Sequence, residues 1–346
     1  MSFLKSFRTN TDALSLFVKM SNLLFSSITE REVERRSRLQ LTDINDLAAD
    51  IRVSYDDIFP ENNLYGMSRT LNNYAGFQHL HHRSHCYIEH GLFFGDYISS
   101  YTYRYSKLRT VLTFSDYREK ILRTNTFIND NLQIVKIGPY IQYAQPLLSS
   151  EEIKKSKETI GKTLLVFPSH SLPGETVSYD DQMLLNRVEE VKQNLGFDSV
   201  IVCLYWKDIQ NGYLINECNN RGFTIVTAGH RYDPLFLNRL RTIIELSDYT
   251  MSNDIGTNLG YCICLKKPHY VFNQQIGFKE GMESFINREY KGREHILKSA
   301  NEIKDYLTHL FCEPESTITL LQMDAVKEYW GDGIKLTSSD IASIYK

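Results

Sequence analysis

The sequence predicts an α/β chain of two doubly wound parallel-sheet domains, with a helical N-terminal segment before them and a helical tail after. Three observations predict it. From residue 86 onward short apolar runs alternate with charged, amphipathic segments, as in a parallel sheet whose strands are joined by helices. Polar residues cluster just after the apolar runs, where such sheets gather their ligands. The 346 residues suffice for two domains of ordinary size.

Residues 1–50 read as helical. Asp12–Ile28 carries an apolar stripe (Leu14, Phe17, Val18, Leu24, Phe25), which fits a core helix or a face that docks on a membrane or a partner. Ile28–Leu39 is rich in Glu and Arg, a solvated helix, and Leu41–Ile51 follows with Thr42 as N-cap. Residues 61–76 read as a loop and a short helix closed by Gly76. Three strands follow: Cys86–Ile88 before the turn Glu89-His90-Gly91, then 108–115, then 132–141 ended by Gly138-Pro139.

Domain boundaries are placed at 1–145, a linker at 146–160, a second domain at 161–320 and a tail at 321–346. The second domain alternates more cleanly. Strands are expected at 162–168, 199–206, 223–229, 249–251 and 269–272, with helices over Tyr179–Leu195, Ile209–Arg221, Asp233–Leu246 and Leu259–Leu265. The tail is helical over Arg288–Leu310 and Thr319–Trp330.

The totals exclude several classes. Apolar residues at 42% and charged residues at 23% describe a soluble globular chain. A net charge of −3 lacks the basic excess of a dedicated nucleic-acid binder. The 22 tyrosines suit carbohydrate or nucleotide surfaces and equally plain cores. Six cysteines form no CxxC pair, as expected of free thiols in a reducing cytosol. No apolar run reaches the roughly 18 residues of a membrane span, and the start MSFLKSF lacks a signal-peptide core. A cytoplasmic location is therefore expected.

The stretch Ser247–Phe272 organises the candidate chemistry. A strand, the polar turn Ser252-Asn253-Asp254, Gly256, and a helix beginning near Thr257 and Asn258 aim backbone N–H groups at one point. That is an anion site, most often for phosphate, or an ordinary well-capped connection. Polar residues also follow the other strands: Ser169, His170 and Ser171; Lys207 and Asp208; His230, Arg231 and Asp233. Hydroxyls, cations and a helix N-terminus are what a diphosphate needs. Asp233 is either a ribose-holding carboxylate or a cap. His170, Lys207, His230 and Thr257 are expected in one pocket. Glu89 or His90, beside the Gly91 turn, is the candidate general base. The run His79, His81, His82, His85 has the spacing of no metal motif, and no metal or cofactor is expected. GxGxxG, GxxxxGK[ST] and GxSxG signatures do not occur.

Short motifs over roughly 55–275 carry a resemblance: Tyr87-Ile88-Glu89-His90-Gly91, Val135-Lys136-Ile137-Gly138-Pro139-Tyr140, Pro168-Ser169-His170-Ser171, and Ser252-Asn253-Asp254-Ile255-Gly256-Thr257 with Lys267-Pro268 after the helix. The chain resembles GT-B-fold glycosyltransferases of bacterial capsule and lipopolysaccharide synthesis, built of two Rossmann-like domains. Where that family has Glu and Ala after the Gly-Thr turn, Asn258 and Tyr261-Cys262 stand here, so no ribose-binding carboxylate is assigned. The resemblance implies a nucleotide-sugar donor in the C-terminal domain. It implies a glycan or lipid-linked glycan acceptor against the N-terminal domain, and metal-independent transfer. Catalysis would fall to Glu89 or His90, and donor binding to Ser169, His170, Ser171, Lys207, His230, Arg231, Asn253, Gly256, Thr257 and Asn258. Work at the inner face of the cytoplasmic membrane would bring peripheral membrane association. A nucleotide-sugar epimerase, a polyol-phosphate transferase and a non-catalytic polysaccharide-locus protein are the competing readings.

Overall fold

The computed structural model describes residues 27–51, 59–77, 86–99, 108–124, 131–172, 174–279 and 294–345, with the single residues 20, 57 and 102. The histidine run 79–85, and most of the helix expected over Asp12–Ile28, lie outside them. Strands β1 (Cys86–Ile88), β2 (Thr110–Thr113) and β3 (Gln133–Lys136) pair in parallel in that order. They are the three strands expected in the first half. Side chains alternate across this sheet: Ile88 and Leu112 face a core shared with the second half, and Tyr87 and Val111 face a separate outer cluster.

The second sheet holds β4 (Thr163–Phe167), β6 (Ser199–Cys203), β7 (Thr224–Val226), β8 (Tyr249–Ser252) and β9 (His269–Val271), all parallel, in the order β7-β6-β4-β8-β9. This is the doubly wound order, and the winding reverses between β4 and β8. β4 and β8 are buried along their whole length, which is why they read as unbroken apolar runs. Two strands were not expected: β5 (Thr176–Ser178) and β10 (Gly277–Lys279) form an antiparallel ribbon.

Several expected boundaries are corrected. Much of the linker at 146–160 is a helix, Ser150–Ile160, started by a capping box in which Ser149 and Glu152 satisfy each other's N–H groups. The helix expected over Ile209–Arg221 is two pieces, Trp206–Gln210 and Ile215–Asn220, broken where Gly212 and Leu214 take positive φ. Leu41–Ile51 shrinks to Ile44–Ala48 with no side-chain cap, so Thr42 is not its N-cap. The helix after β7 begins at Phe236, because Asp233 is buried in an ion cluster. There Arg36 and Arg239 reach Asp233 Oδ2 at 3.0 and 2.8 Å, which ties the N-terminal helix at 27–37 to the second half.

The tail returns to the first half. Helix Leu320–Trp330 packs between helix Asp116–Thr124 and helix Thr257–Cys264. Ser115 Oγ donates to the Tyr329 carbonyl at 2.9 Å. Helix Ser338–Tyr345, which was not expected, lies on Met67–Tyr74. Trp330 is fully buried against Gly260, where a Cβ would stand 2.1 Å from the indole. Gly260→Ala is therefore expected to destabilise the fold by about 1–3 kcal/mol, read as a lowered urea midpoint. An unchanged midpoint would mean the indole has room to move.

Candidate functional site

The carboxyl ends of β4 and β8 flank the point where the winding reverses, and their loops are tied together. Asn253 Oδ1 accepts the Ser169 N–H at 2.6 Å, and Asn253 Nδ2 donates to Gln274 Oε1 at 3.0 Å. The Ser171 N–H donates to both oxygens of Asp208 at 3.2 Å, and Ser171 Oγ accepts the Val177 N–H at 3.1 Å. Asn253, Ser171 and Asp208 are buried. They shape the loops and do not open to a ligand, which corrects the expectation of Asn253 and Ser171 as ligand contacts.

His170 is half-buried and stacks on Tyr205, with ring centroids 4.1 Å apart. Its Nδ1–H donates to the Ser171 carbonyl at 3.1 Å. A carbonyl only accepts, so Nδ1 carries the proton of this bond. Gly256 caps helix Thr257–Cys264 in an extended conformation. A Cβ on it would stand 2.6 Å from Asn258 Oδ1, the tip of a flexible side chain, and no side chain caps the helix N-terminus. Asp254 turns away to Lys304 at 3.1 Å.

Across from this edge, β1 ends in Glu89 and His90, and the two residues diverge. Glu89 is fully buried: Arg118 Nη2 holds Oε1 at 2.7 Å, and Arg118 Nε and Thr113 Oγ1 hold Oε2 at 3.2 and 2.5 Å. A carboxylate so enclosed cannot reach an acceptor hydroxyl, which removes Glu89 as candidate base. His90 takes the other side. Its Nδ1 is buried with no hydrogen-bond partner. Burial, with a further push from Arg231, lowers its pKa to about 4, so the ring is neutral at pH 7. The next residues touch the second half: the Leu92 N–H donates to Thr257 Oγ1 at 3.2 Å.

One cleft of about 400 Å³ collects these groups. His90, Gly91, Ser169, His170, Gly256, Thr257 and Asn258 line its polar side, and Leu172, Leu237, Tyr261, Ile276 and Phe278 line the apolar side. Lys207, His230 and Arg231 do not line it. They follow β6 and β7, one and two strands from β4. The His230 ring is buried against Trp206 at 4.2 Å, and its backbone N–H donates to the Leu47 carbonyl at 2.8 Å. The single pocket expected for His170, Lys207, His230 and Thr257 thus holds only His170 and Thr257. Sequence reasoning missed Tyr65, Tyr205, Phe236 and Tyr261 in the lining. The abundance of tyrosine was the only signal for the three tyrosines, and Phe236 had none.

Fold and cleft define a doubly wound α/β protein with a cleft at its topological switch point, faced by a second parallel sheet. No protein-family model matches the sequence, and no curated protein matches it. Among solved structures, two variants of the wall teichoic acid polymerase TagF are similar. They are 14% and 13% identical over 71% and 69% of this chain and 58% and 57% of theirs, with TM-scores of 0.38 and 0.37. The pneumococcal O-GlcNAc transferase GtfA, solved with UDP and GlcNAc, is 13% identical over 75% of this chain and 50% of its own, with a TM-score of 0.34. The chain spans less than two thirds of each. At these identities and scores the likenesses do not decide the activity.

Two outcomes are expected from the buried groups. Glu89→Ala strands the Arg118 charge and should destabilise by about 3–5 kcal/mol in chemical denaturation; wild-type stability would reopen Glu89 as a free carboxylate. The pKa values of His90 and His230 are lowered from 6.5 to about 4, and that of His269 to about 3, with burial the largest cause in each. Below pH 6.5 the unfolded chain binds more protons than the native one. The stability these rings contribute is complete above that pH and is lost as pH falls through about 4. Thermal midpoints should decline from pH 6.5 downward, before carboxylates titrate; a flat profile to pH 4.5 would refute it.

Proposed function

We propose that the chain is a glycosyltransferase that moves a sugar from a nucleotide-sugar donor to a glycan or lipid-linked glycan in bacterial surface-polysaccharide synthesis. One observation carries the reading. The carboxyl edges of two parallel sheets open into a single cleft, with His90 on one wall and His170 and an uncovered helix N-terminus on the other. A two-substrate transfer needs that division of labour.

The nucleoside diphosphate lies over the Thr257 helix, whose free N–H groups and dipole favour negative charge. Ser169 and His170 border the same site. The acceptor hydroxyl lies against His90, whose neutral ring takes its proton. The acceptor oxygen bonds to the anomeric carbon as the bond from that carbon to the phosphate oxygen breaks. The departing diphosphate stays on the helix amides, which are oriented before the charge develops. The reading needs no metal ion. Among the described residues no helix is long and apolar enough to cross a membrane.

Thermal-shift titration with UDP, GDP, CMP and CDP ligands should give stabilisation by one base, about 2.7 kcal/mol at a hundredfold excess over Kd. Stabilisation by none of them would overturn the donor site. His170→Ala should lower turnover by about a hundredfold or more at an unchanged melting temperature. Product formed from donor alone, with no acceptor, would favour an epimerase instead.

A further inference from the structure

Two cations stand unpaired beside the cleft, in a place the donor diphosphate does not occupy. Lys207 Nζ lies 5.6 Å and Arg231 Cζ 5.9 Å from the centre of the Trp206 ring, and Arg231 Cζ lies 4.9 Å from that of Tyr232. Among the described residues neither forms an ion pair. Arg231 Nε is enclosed without an acceptor, which is costly for a charged donor unless an anion completes it. The neighbouring carboxylates have other partners: Asp208 accepts the Ser171 N–H, Asp233 sits between Arg36 and Arg239, and Asp50 accepts from Gln210 Nε2 at 3.3 Å.

Position decides which substrate these cations serve. Arg231 lies in the loop after β7 (Thr224–Val226) and is not among the residues that line the cleft. The Arg231 backbone faces the first half, its carbonyl accepting the Tyr65 N–H at 2.6 Å. Its charge is felt at His90 and at the hydroxyls of Tyr65 and Tyr205. An acceptor hydroxyl must come to His90, so an anion on Arg231 belongs to the acceptor.

We propose that Lys207 and Arg231, held over Trp206, form a second anion subsite that binds a phosphate or carboxylate carried by the acceptor, and that the acceptor is therefore an acidic glycan. This rests on the donor-site reading above. It also moves Lys207 and Arg231 from the donor to the acceptor.

Trp206 reports on the subsite. The chain has two tryptophans, and Trp330 is buried in the joint with the tail. Emission is followed while α-glycerol phosphate, glucuronate and the neutral control glycerol are titrated at constant ionic strength. One anion should give a saturable change that glycerol does not, and which of the two does so separates phosphate from carboxylate. Arg231→Gln and Lys207→Gln should each weaken it by about tenfold, with Arg231→Lys recovering part. Nucleotide affinity, read by thermal shift in the same variants, should move by less than about twofold. Anion responses no different from glycerol overturn the subsite. Nucleotide binding weakened as much as anion binding overturns its assignment to the acceptor. If no nucleotide stabilises the wild-type protein, the donor reading fails while the anion titration still stands alone.

Discussion

Thr257 is held from both halves of the molecule, and the cleft takes its shape from that. Its hydroxyl accepts the Leu92 N–H and its carbonyl accepts the Trp330 indole N–H, both at 3.2 Å. It is also the first residue of the helix whose amides face the cleft. The gap between His90 and those amides is thus set by a direct contact. The two grips differ in strength. One exposed-side hydrogen bond contributes about 0.5–1.5 kcal/mol net. The Trp330 side is a fully buried indole seated where Gly260 leaves space, worth several times that.

Buried charge does a second job, keeping Glu89 and Asp233 out of the cleft, while Asp254, which does line it, is paired with Lys304. Glu89 and Arg118 neutralise each other with no exposure, and Asp233 sits between Arg36 and Arg239. A free carboxylate at either place would repel the diphosphate the cleft is proposed to hold. Ion pairs of this kind add little over an apolar replacement, yet removing one partner is severe. Glu89 and Asp233 are therefore constraints on architecture, and the polarity of the cleft is left to histidines, hydroxyls, backbone N–H groups and the Asp254–Lys304 pair.

The strands of both sheets were legible because fully buried parallel strands are short apolar runs with turn residues at their ends, as at 163–167 and 249–252. The ribbon of β5 and β10 was not, since its strands of three residues pair across about a hundred positions and carry no local pattern. EEIKKSKE read as a linker for its charge, although Ser149 and Glu152 already spelled a capping box. The placement of polar residues at strand ends was legible as well. Their direction was not. Glu89 and His90 are neighbours, and which of them meets the cleft is decided by Arg118, far along the chain. The ends of β6 and β7 do reach the cleft, through Cys203, Tyr205, Thr227 and Ala228; Lys207 and His230 lie beyond those ends, where the chain has turned away, a direction that sequence does not record.

The low pKa of His90 raises a question of chemical competence. A base with a pKa of about 4 holds its lone pair ready at pH 7 but binds a proton weakly. Burial is the main cause, and Arg231 adds to it. Only the second of these can change without rebuilding the fold. An anion seated on Arg231 would cancel its field at the imidazole and raise the basicity of His90 when an acidic acceptor is in place. Each pKa unit recovered corresponds to about 1.36 kcal/mol in favour of the protonated ring. A neutral competitor such as water would find the same histidine a poorer base. Acceptor recognition and proton acceptance would then be one electrostatic event, because the cation that reads the acceptor also sets the strength of the base.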